Sequence, residues 1–172
     1  TQRNFSQTNN ANSGEFIPNR LIQGISKTTS TAVECRKSLE ELEELLNRSL
    51  ELRGPSSVKP NEFSNLFTNL SPYFNDGNTE TVSIAAKILL LSLQLIDPND
   101  MKNVDTEFIM DSIFLLNYQE KSIRNTTTSI LSEWNAMVPY FIQNIFLEVF
   151  SRLSPKGKKA AVNFVRDLNF NM

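Results

Sequence analysis

Apolar residues recur every three or four positions along most of this 172-residue chain, and that spacing is what most constrains its fold. It is typical of amphipathic helices, whereas half-buried strands alternate at every second residue. With only 5 glycines and 7 prolines, the chain also has few residues for the tight turns of an all-β fold. The sequence therefore predicts an all-α protein. Residues 79–96, apolar almost all round, are predicted to form its central, most buried helix.

The same spacing predicts seven to eight helices joined by short loops. From Asn61 onward the helical segments fall loosely into pairs, an arrangement typical of HEAT or armadillo-like arrays. No strict repeat is detectable in the sequence. We therefore expect a compact array of this kind or a helical bundle.

Changes in composition divide the chain into four parts. Residues 1–16, rich in Thr, Gln, Asn and Ser, predict a disordered polar arm. Residues 17–53 predict one or more amphipathic helices, and residues 54–60, with two prolines and a glycine, predict a linker. Residues 61–172 predict the helical core, a single domain onto which residues 17–53 pack. The chain begins with Thr rather than Met, so we expect a fragment of a longer protein.

The residue types that most enzymatic chemistry requires are missing from the sequence. It contains no histidine and one cysteine, which excludes Ser-His-Asp and Cys-His catalysis, histidine-ligated metals and an internal disulfide. Glycine-rich phosphate loops and the common nucleophile and metal motifs do not occur either. Carboxylate pairs such as Glu40 and Glu44 are interpreted as a solvated helix face. We therefore predict that the protein is not an enzyme and binds no metal or cofactor.

Charge and hydropathy limit the partners and the compartment. The 17 basic and 19 acidic residues give a net charge of -2, which provides no global field for nucleic acid. The most apolar stretch, Ile84 to Ile96, is interrupted by Lys87 and is shorter than the roughly 20 residues that span a bilayer. We therefore expect no membrane span. The lone Cys35 fits a reducing compartment and predicts an intracellular protein, nuclear or cytoplasmic.

A helix predicted from Ser30 to the Gly54-Pro55 break carries a heptad-like apolar stripe. The stripe consists of Ala32, Cys35, Leu39, Leu42 and Leu46. It either packs onto the rest of the domain or pairs with a second copy of the chain through Leu39, Leu42 and Leu46. The run is short for a coiled coil, which favours packing within the chain. The sequence leaves the oligomeric state open.

The clearest local charge bias lies in residues 152–166, which hold five cations and no acid. Such a patch is a solvated face, or it contacts an acidic protein, an import receptor or nucleic acid. Aromatic residues at predicted helix ends or loops provide a second possible contact surface. They are Tyr73, Phe74, Tyr118 and Tyr140, each of which either covers the core or contacts a short linear motif. The candidate partner-binding residues are Tyr118, Tyr140, Lys156, Lys158 and Lys159.

One segment resembles a known family. The predicted helix from Glu120 to Val138 has an inward stripe of Ile123, Thr127, Ile130, Leu131, Trp134 and Met137. Its small residue, paired aliphatics and Trp resemble the signature helix of the N-terminal domain of transcription elongation factor TFIIS, which LEDGF-like, elongin A-like and Mediator subunit proteins share. The resemblance covers about residues 89–138. It departs from the family at Asn135, where lysine is usual, and at Thr127, where alanine is usual.

The resemblance implies a helical scaffold that binds short disordered motifs, often acidic and with Phe or Leu anchors, in transcription-elongation assemblies. Independently of it, Trp134, Ile130 and Leu131 are predicted as core anchors. We therefore predict a non-catalytic protein-protein interaction domain, an adaptor or scaffold in a transcription or chromatin complex. The alternatives are homo-oligomerisation through the 32–46 helix and nucleic-acid contact through the C-terminal basic patch.

Overall fold

The computed structural model describes residues 16–52 and 58–170, and these residues form eight α-helices and no strand. The helices are α1 (Asn19–Gly24), α2 (Ala32–Leu52), α3 (Pro60–Leu70), α4 (Thr79–Leu95), α5 (Thr106–Ile113), α6 (Lys121–Met137), α7 (Leu147–Phe150) and α8 (Pro155–Phe170). Short 3-10 turns follow α3, α4 and α5, and a π-helical turn, Ile142–Phe146, precedes α7. The predicted all-α array of seven to eight helices is confirmed.

The helix α4 lies at the centre of the fold, with α2 on one side and α6 on the other. Its side chains are apolar almost all round, so it can pack against both neighbours at once. Asn78 caps its first turn, where the side-chain Oδ1 accepts the N–H of Glu80 at 2.9 Å. The helix ends at Leu95, next to Ile96 in extended conformation and the Asp97-Pro98 turn. The central buried helix thus lies where the sequence predicts it.

The leucine stripe of α2 faces α4 and is completely buried. Leu39, Leu42 and Leu46 have no exposed surface, because the apolar surface of α4 covers them. They therefore offer no face on which a second copy could pair, and this stripe packs within the chain. A capping box begins the helix: the Glu34 carboxylate accepts the N–H of Thr31 at 2.8 Å, and the Thr31 hydroxyl accepts the N–H of Glu34 at 3.2 Å.

Asn61 is of a residue type that commonly caps helices, and the sequence favours it as the cap of α3, but it lies inside the helix rather than at its start. The helix begins at Pro60, and the 7 % exposed carboxylate of Glu62 accepts the N–H of Lys59 at 3.0 Å. The same carboxylate accepts the N–H of Ile17 at 2.7 Å and that of Phe16. One buried side chain thus satisfies N–H groups in two segments, and that is why Asn61 is not needed as a cap.

The predicted arm and linker fall largely outside the described residues. Residues 1–15 and 53–57 are not among them. At the end of the predicted linker, Val58 is buried, and its N–H donates to the carbonyl of Leu95 at 3.2 Å. Residue 58 is therefore attached to the C-terminal end of α4.

The largest buried side chain is Trp134, near the C-terminal end of the α6 stripe. Its Nε1 donates to the Ser112 hydroxyl at 2.9 Å, and that hydroxyl donates to the carbonyl of Ile109 at 2.7 Å. Ile130 and Leu131, the other predicted core anchors, are fully buried beside it on α6. The indole therefore has both apolar contact and a satisfied N–H, as a buried Trp requires.

The C-terminal helices follow the sequence prediction in α7 and depart from it in α8. Helical spacing predicts an inward stripe of Phe141, Ile142, Ile145, Phe146, Val149, Phe150 and Leu153, and these side chains are buried or partly buried. Leu147 lies outside this stripe and is 56 % exposed. The π-helical turn just before it has a wider turn than an α-helix, which changes the direction in which the following side chains point. In α8 helical spacing predicts an inward face of Ala161, Val162, Val165 and Leu168, but Val162 is 50 % exposed, whereas Ala161 and Phe164 are buried. Apolar residues spread around much of α8, so packing decided which of them reached the core.

Candidate functional site

A groove of about 640 Å³ lies between α7 and α8, and we call it the apolar groove. Its lining residues are Phe146, Leu147, Phe150, Ala161, Val162, Val165 and Arg166. Phe146 and Ala161 are buried at its base, while Leu147 and Val162 are about half exposed on opposite walls. Large apolar side chains that share an open cavity are a common mark of an interaction surface.

The sequence does carry a signal for this groove, although the spacing analysis missed it. Seven of the ten residues from Phe141 to Phe150 are apolar, which is more than one helix face can bury. The core takes Phe141, Ile145, Phe146 and Val149, whereas Ile142 and Phe150 are partly buried and Leu147 is 56 % exposed. An apolar stripe too wide for one face therefore indicated a second apolar surface in this segment.

A second groove, also about 640 Å³, lies between α6 and α8, on the opposite flank of α8. We call it the basic groove. Its charged lining residues are four cations, Lys121, Arg124, Lys156 and Lys159, and one acid, Asp167. Hydroxyl and amide side chains line much of the remainder, namely Asn125, Thr128, Ser129, Ser132 and Asn163. Lys121 and Arg124 were not among the residues singled out from the sequence, although they lie one helical turn apart on α6.

Two cations of the basic groove are held by hydrogen bonds to the loop just before α6. Arg124 Nη1 donates to the carbonyls of Tyr118 at 2.8 Å and Gln119 at 2.6 Å. Lys156 Nζ donates to Oε1 of Gln119 at 2.9 Å. Lys121 and Lys159 are exposed. The groove thus combines positioned and solvent-exposed positive charge.

The helix α8 forms one wall of both grooves. Arg166 lines the apolar groove and Lys159 the basic groove. They are seven residues apart, about two helical turns, so they lie on the same exposed crest. Lys158 precedes Val162 by four residues and therefore lies on the apolar flank. The predicted basic patch is thus divided between two surfaces rather than gathered in one.

The predicted aromatic contacts occupy different environments. Tyr73 and Phe74 are buried and cover the core. Of the two predicted alternatives, an exposed contact surface is therefore wrong for these two residues. Tyr118 is half-buried, with its hydroxyl donating to the carbonyl of Phe74 at 2.6 Å. Burial raises the pKa of both tyrosines, Tyr73 and Tyr118. Tyr140 is 72 % exposed and adopts a left-handed backbone with φ 57°, which is uncommon for a residue other than glycine. It lines neither groove.

Carboxylates occur beside the core, but they form no shared site. Burial raises the pKa of Asp111 on α5 and of Glu133 on α6. A hydrogen bond from Lys27 lowers the pKa of Asp76, with Nζ and Oδ2 2.8 Å apart. In the part of the chain that the structure describes, no three His, Cys, Asp or Glu side chains come together as a metal site. None of the described helices is long and apolar enough to cross a membrane.

Comparisons with protein-family models, with curated proteins and with solved structures gave no match for this chain. The resemblance of residues 89–138 to the TFIIS N-terminal domain therefore stays a prediction. The two grooves on either side of α8, one apolar and one basic, are the candidate binding sites.

Proposed function

We propose that this chain is a non-catalytic protein-protein interaction domain that binds a short segment of a partner protein in the apolar groove. The observation that carries the proposal is the pair Leu147 and Val162, half exposed on facing walls of one cavity. Other exposed apolar side chains are isolated by comparison. Val33 and Leu52, for example, lie at opposite ends of α2.

A peptide helix or turn suits the form of the apolar groove. The groove is open to solvent and lies between two helices, and such grooves accept the apolar face of an amphipathic segment. Anchors three or four residues apart would lie side by side on that face. Arg166 at the rim, with Lys158 on the same flank, favours a segment that also carries carboxylates. The proposed occupant is therefore a partner segment with two apolar anchors and adjacent acidic residues.

The resemblance to the TFIIS N-terminal domain supports the same class of function from a different part of the chain. It adds a setting, a transcription or chromatin complex in the nucleus, in which the domain would act as an adaptor. The resemblance covers residues 89–138 and does not include the walls of the apolar groove.

The test is selection of binding peptides from a random displayed library by the folded domain. We expect the enriched peptides to share two apolar residues three or four positions apart. Affinity should fall more than about tenfold for Leu147→Glu and Val162→Glu, because each introduces a charge into the contact. The matched control is Val33→Glu, an exposed valine on α2, which should bind like the parent.

Two results would contradict the proposal. One is that the folded domain enriches no peptide, or that its peptides bind both groove variants as tightly as the parent. The other is a concentration-dependent dimer, seen by sedimentation, that Val162→Glu dissociates. That result would assign the apolar groove to a second copy of the chain, which is the oligomerisation alternative on a surface other than the α2 stripe.

A further inference from the structure

We infer that the basic groove is the second half of the same binding site and takes a run of acidic residues that flanks the partner's apolar anchors. This inference rests on the proposed function, because it assumes that the anchors occupy the apolar groove. The partner would then be a bipartite segment crossing α8, with apolar side chains on one flank and carboxylates on the other.

The charge distribution supports an anionic occupant. The protein as a whole is slightly acidic, with a net charge of -2, yet four cations and a single acid line the basic groove. The cations come from two helices, α6 and α8, so positive charge lies on both walls of the groove rather than on one helix face. The attraction for an anion is therefore local, and it adds to affinity only for a ligand that reaches this groove.

The geometry of α8 sets how far apart the two halves of the ligand must be. A helix with its side chains is about 10–12 Å across, and an extended chain advances about 3.3 Å per residue. A segment leaving the apolar groove therefore needs about three to five residues to reach the basic groove. Along this path it passes Lys159 and Arg166 on the crest, so the connecting residues also meet positive charge.

The chemistry of the basic groove favours a peptide over a nucleic acid. On its α6 wall the Thr128 hydroxyl donates to the carbonyl of Asn125 at 2.8 Å, and the Ser132 hydroxyl donates to that of Thr128 at 3.2 Å. Because each hydroxyl already donates its proton to a carbonyl, its oxygen is available to accept a hydrogen bond from an N–H group of a ligand. A peptide backbone supplies N–H groups, whereas a phosphodiester backbone presents acceptors. Phe164, the aromatic residue of this groove, is buried and gives no surface for base stacking.

A pair of synthetic peptides tests the inference. Both carry the apolar anchors chosen by library selection, followed after four residues by three glutamates in one peptide and three glutamines in the other. We expect the glutamate peptide to bind about tenfold more tightly at low salt, an advantage that disappears near ~0.5 M salt. The double variant Lys156→Gln, Lys159→Gln should lose that advantage while still binding the glutamine peptide. Lys87→Gln, an exposed cation on α4, is the matched control.

The outcomes separate the two proposals. Equal affinity for the two peptides would overturn the inference and leave the proposed function standing, whereas failure of both to bind would contradict the proposed function. An octaglutamate peptide and an oligothymidylate of equal charge, each titrated while amide NMR signals are followed, test the basic groove without any anchor. Shifts at Lys121, Lys156 and Lys159 with octaglutamate support the inference. Tighter binding of the oligonucleotide would assign the groove to nucleic acid and overturn it.

Discussion

The helix α6 and the pair α7–α8 are both rich in apolar residues, but they use them differently. On α6 the side chains of Ile130, Leu131 and Trp134 are fully buried. On α7 and α8 the comparable side chains of Leu147 and Val162 are about half exposed. The difference lies in the neighbours, because α6 packs against both α4 and α8, whereas α7 and α8 leave an open groove between them.

The comparison shows that an apolar stripe by itself does not distinguish a core helix from a docking surface. Burying a large aliphatic side chain contributes about 1.5–3 kcal/mol to folding, and a half-exposed one leaves much of that unused. The unused part is available to a binding partner. The same residue type should therefore affect stability on α6 and binding on α7–α8, and substitutions can separate the two effects.

The largest effect is expected from Trp134→Ala on α6. Removing the indole leaves a cavity among fully buried side chains, and we expect the free energy of unfolding to fall by about 3–5 kcal/mol. Urea denaturation followed by far-ultraviolet circular dichroism measures this loss. Trp134→Phe is the control, because it keeps an aromatic ring but removes the Nε1 bond to Ser112. An alanine variant as stable as the parent would show that the indole is not part of the core.

The second prediction compares one substitution in the two regions. Leu131→Ala on α6 should lower the free energy of unfolding by about 2–5 kcal/mol, because this side chain is fully buried. Leu147→Ala on α7 should lower it by less than about 1 kcal/mol, because over half of that side chain already meets solvent. Peptide binding should respond in the opposite order. Equal losses of stability would mean that the apolar groove is part of the core.

Much of the fold was predictable from the sequence because helix formation depends on local spacing. The all-α class, the central segment 79–96 and the stripe around Trp134 all follow from apolar residues repeated at helical intervals. Ser154 followed by Pro155 is a common cap and first-turn pair, which predicts the start of the last helix, and the Ser154 hydroxyl accepts the N–H of Gly157 at 3.1 Å. These features need only residues close together in the chain.

The grooves were not predictable in the same way because they depend on which face of a helix is left uncovered. On α8 helical spacing places both Val162 and Phe164 at core positions, but only Phe164 is buried and Val162 is 50 % exposed. On α7 the stripe from Phe141 to Leu153 lies inward as spacing predicts, but spacing does not show that Leu147, outside the stripe, lines a groove. The basic groove joins Lys121 and Lys159, which are distant in sequence and meet only through packing of α6 on α8.

The smallest effect compares two glutamates, Glu133 on α6 and Glu148 on α7. Burial raises the pKa of Glu133, so its charged form opposes folding at neutral pH. Because its pKa is raised in the folded state, Glu133 favours folding at pH values below the ordinary glutamate pKa. This contribution to stability is lost as the pH rises through the raised pKa. Glu133→Gln should therefore increase the free energy of unfolding at pH 7 by roughly 0.2–0.5 kcal/mol, a value kept small because the carboxyl is partly solvated.

That gain should disappear as the pH falls below the ordinary glutamate pKa, where the parent carboxyl is neutral in both states. Glu148 is exposed, so Glu148→Gln should leave stability unchanged across the same range. Thermal melts of the parent and both variants between about pH 3 and 8 measure the difference. If Glu133→Gln stabilised the protein equally at every pH, its effect would come from packing or helix propensity rather than from the buried charge. Glu133 would then not share the buried surroundings of the other α6 side chains.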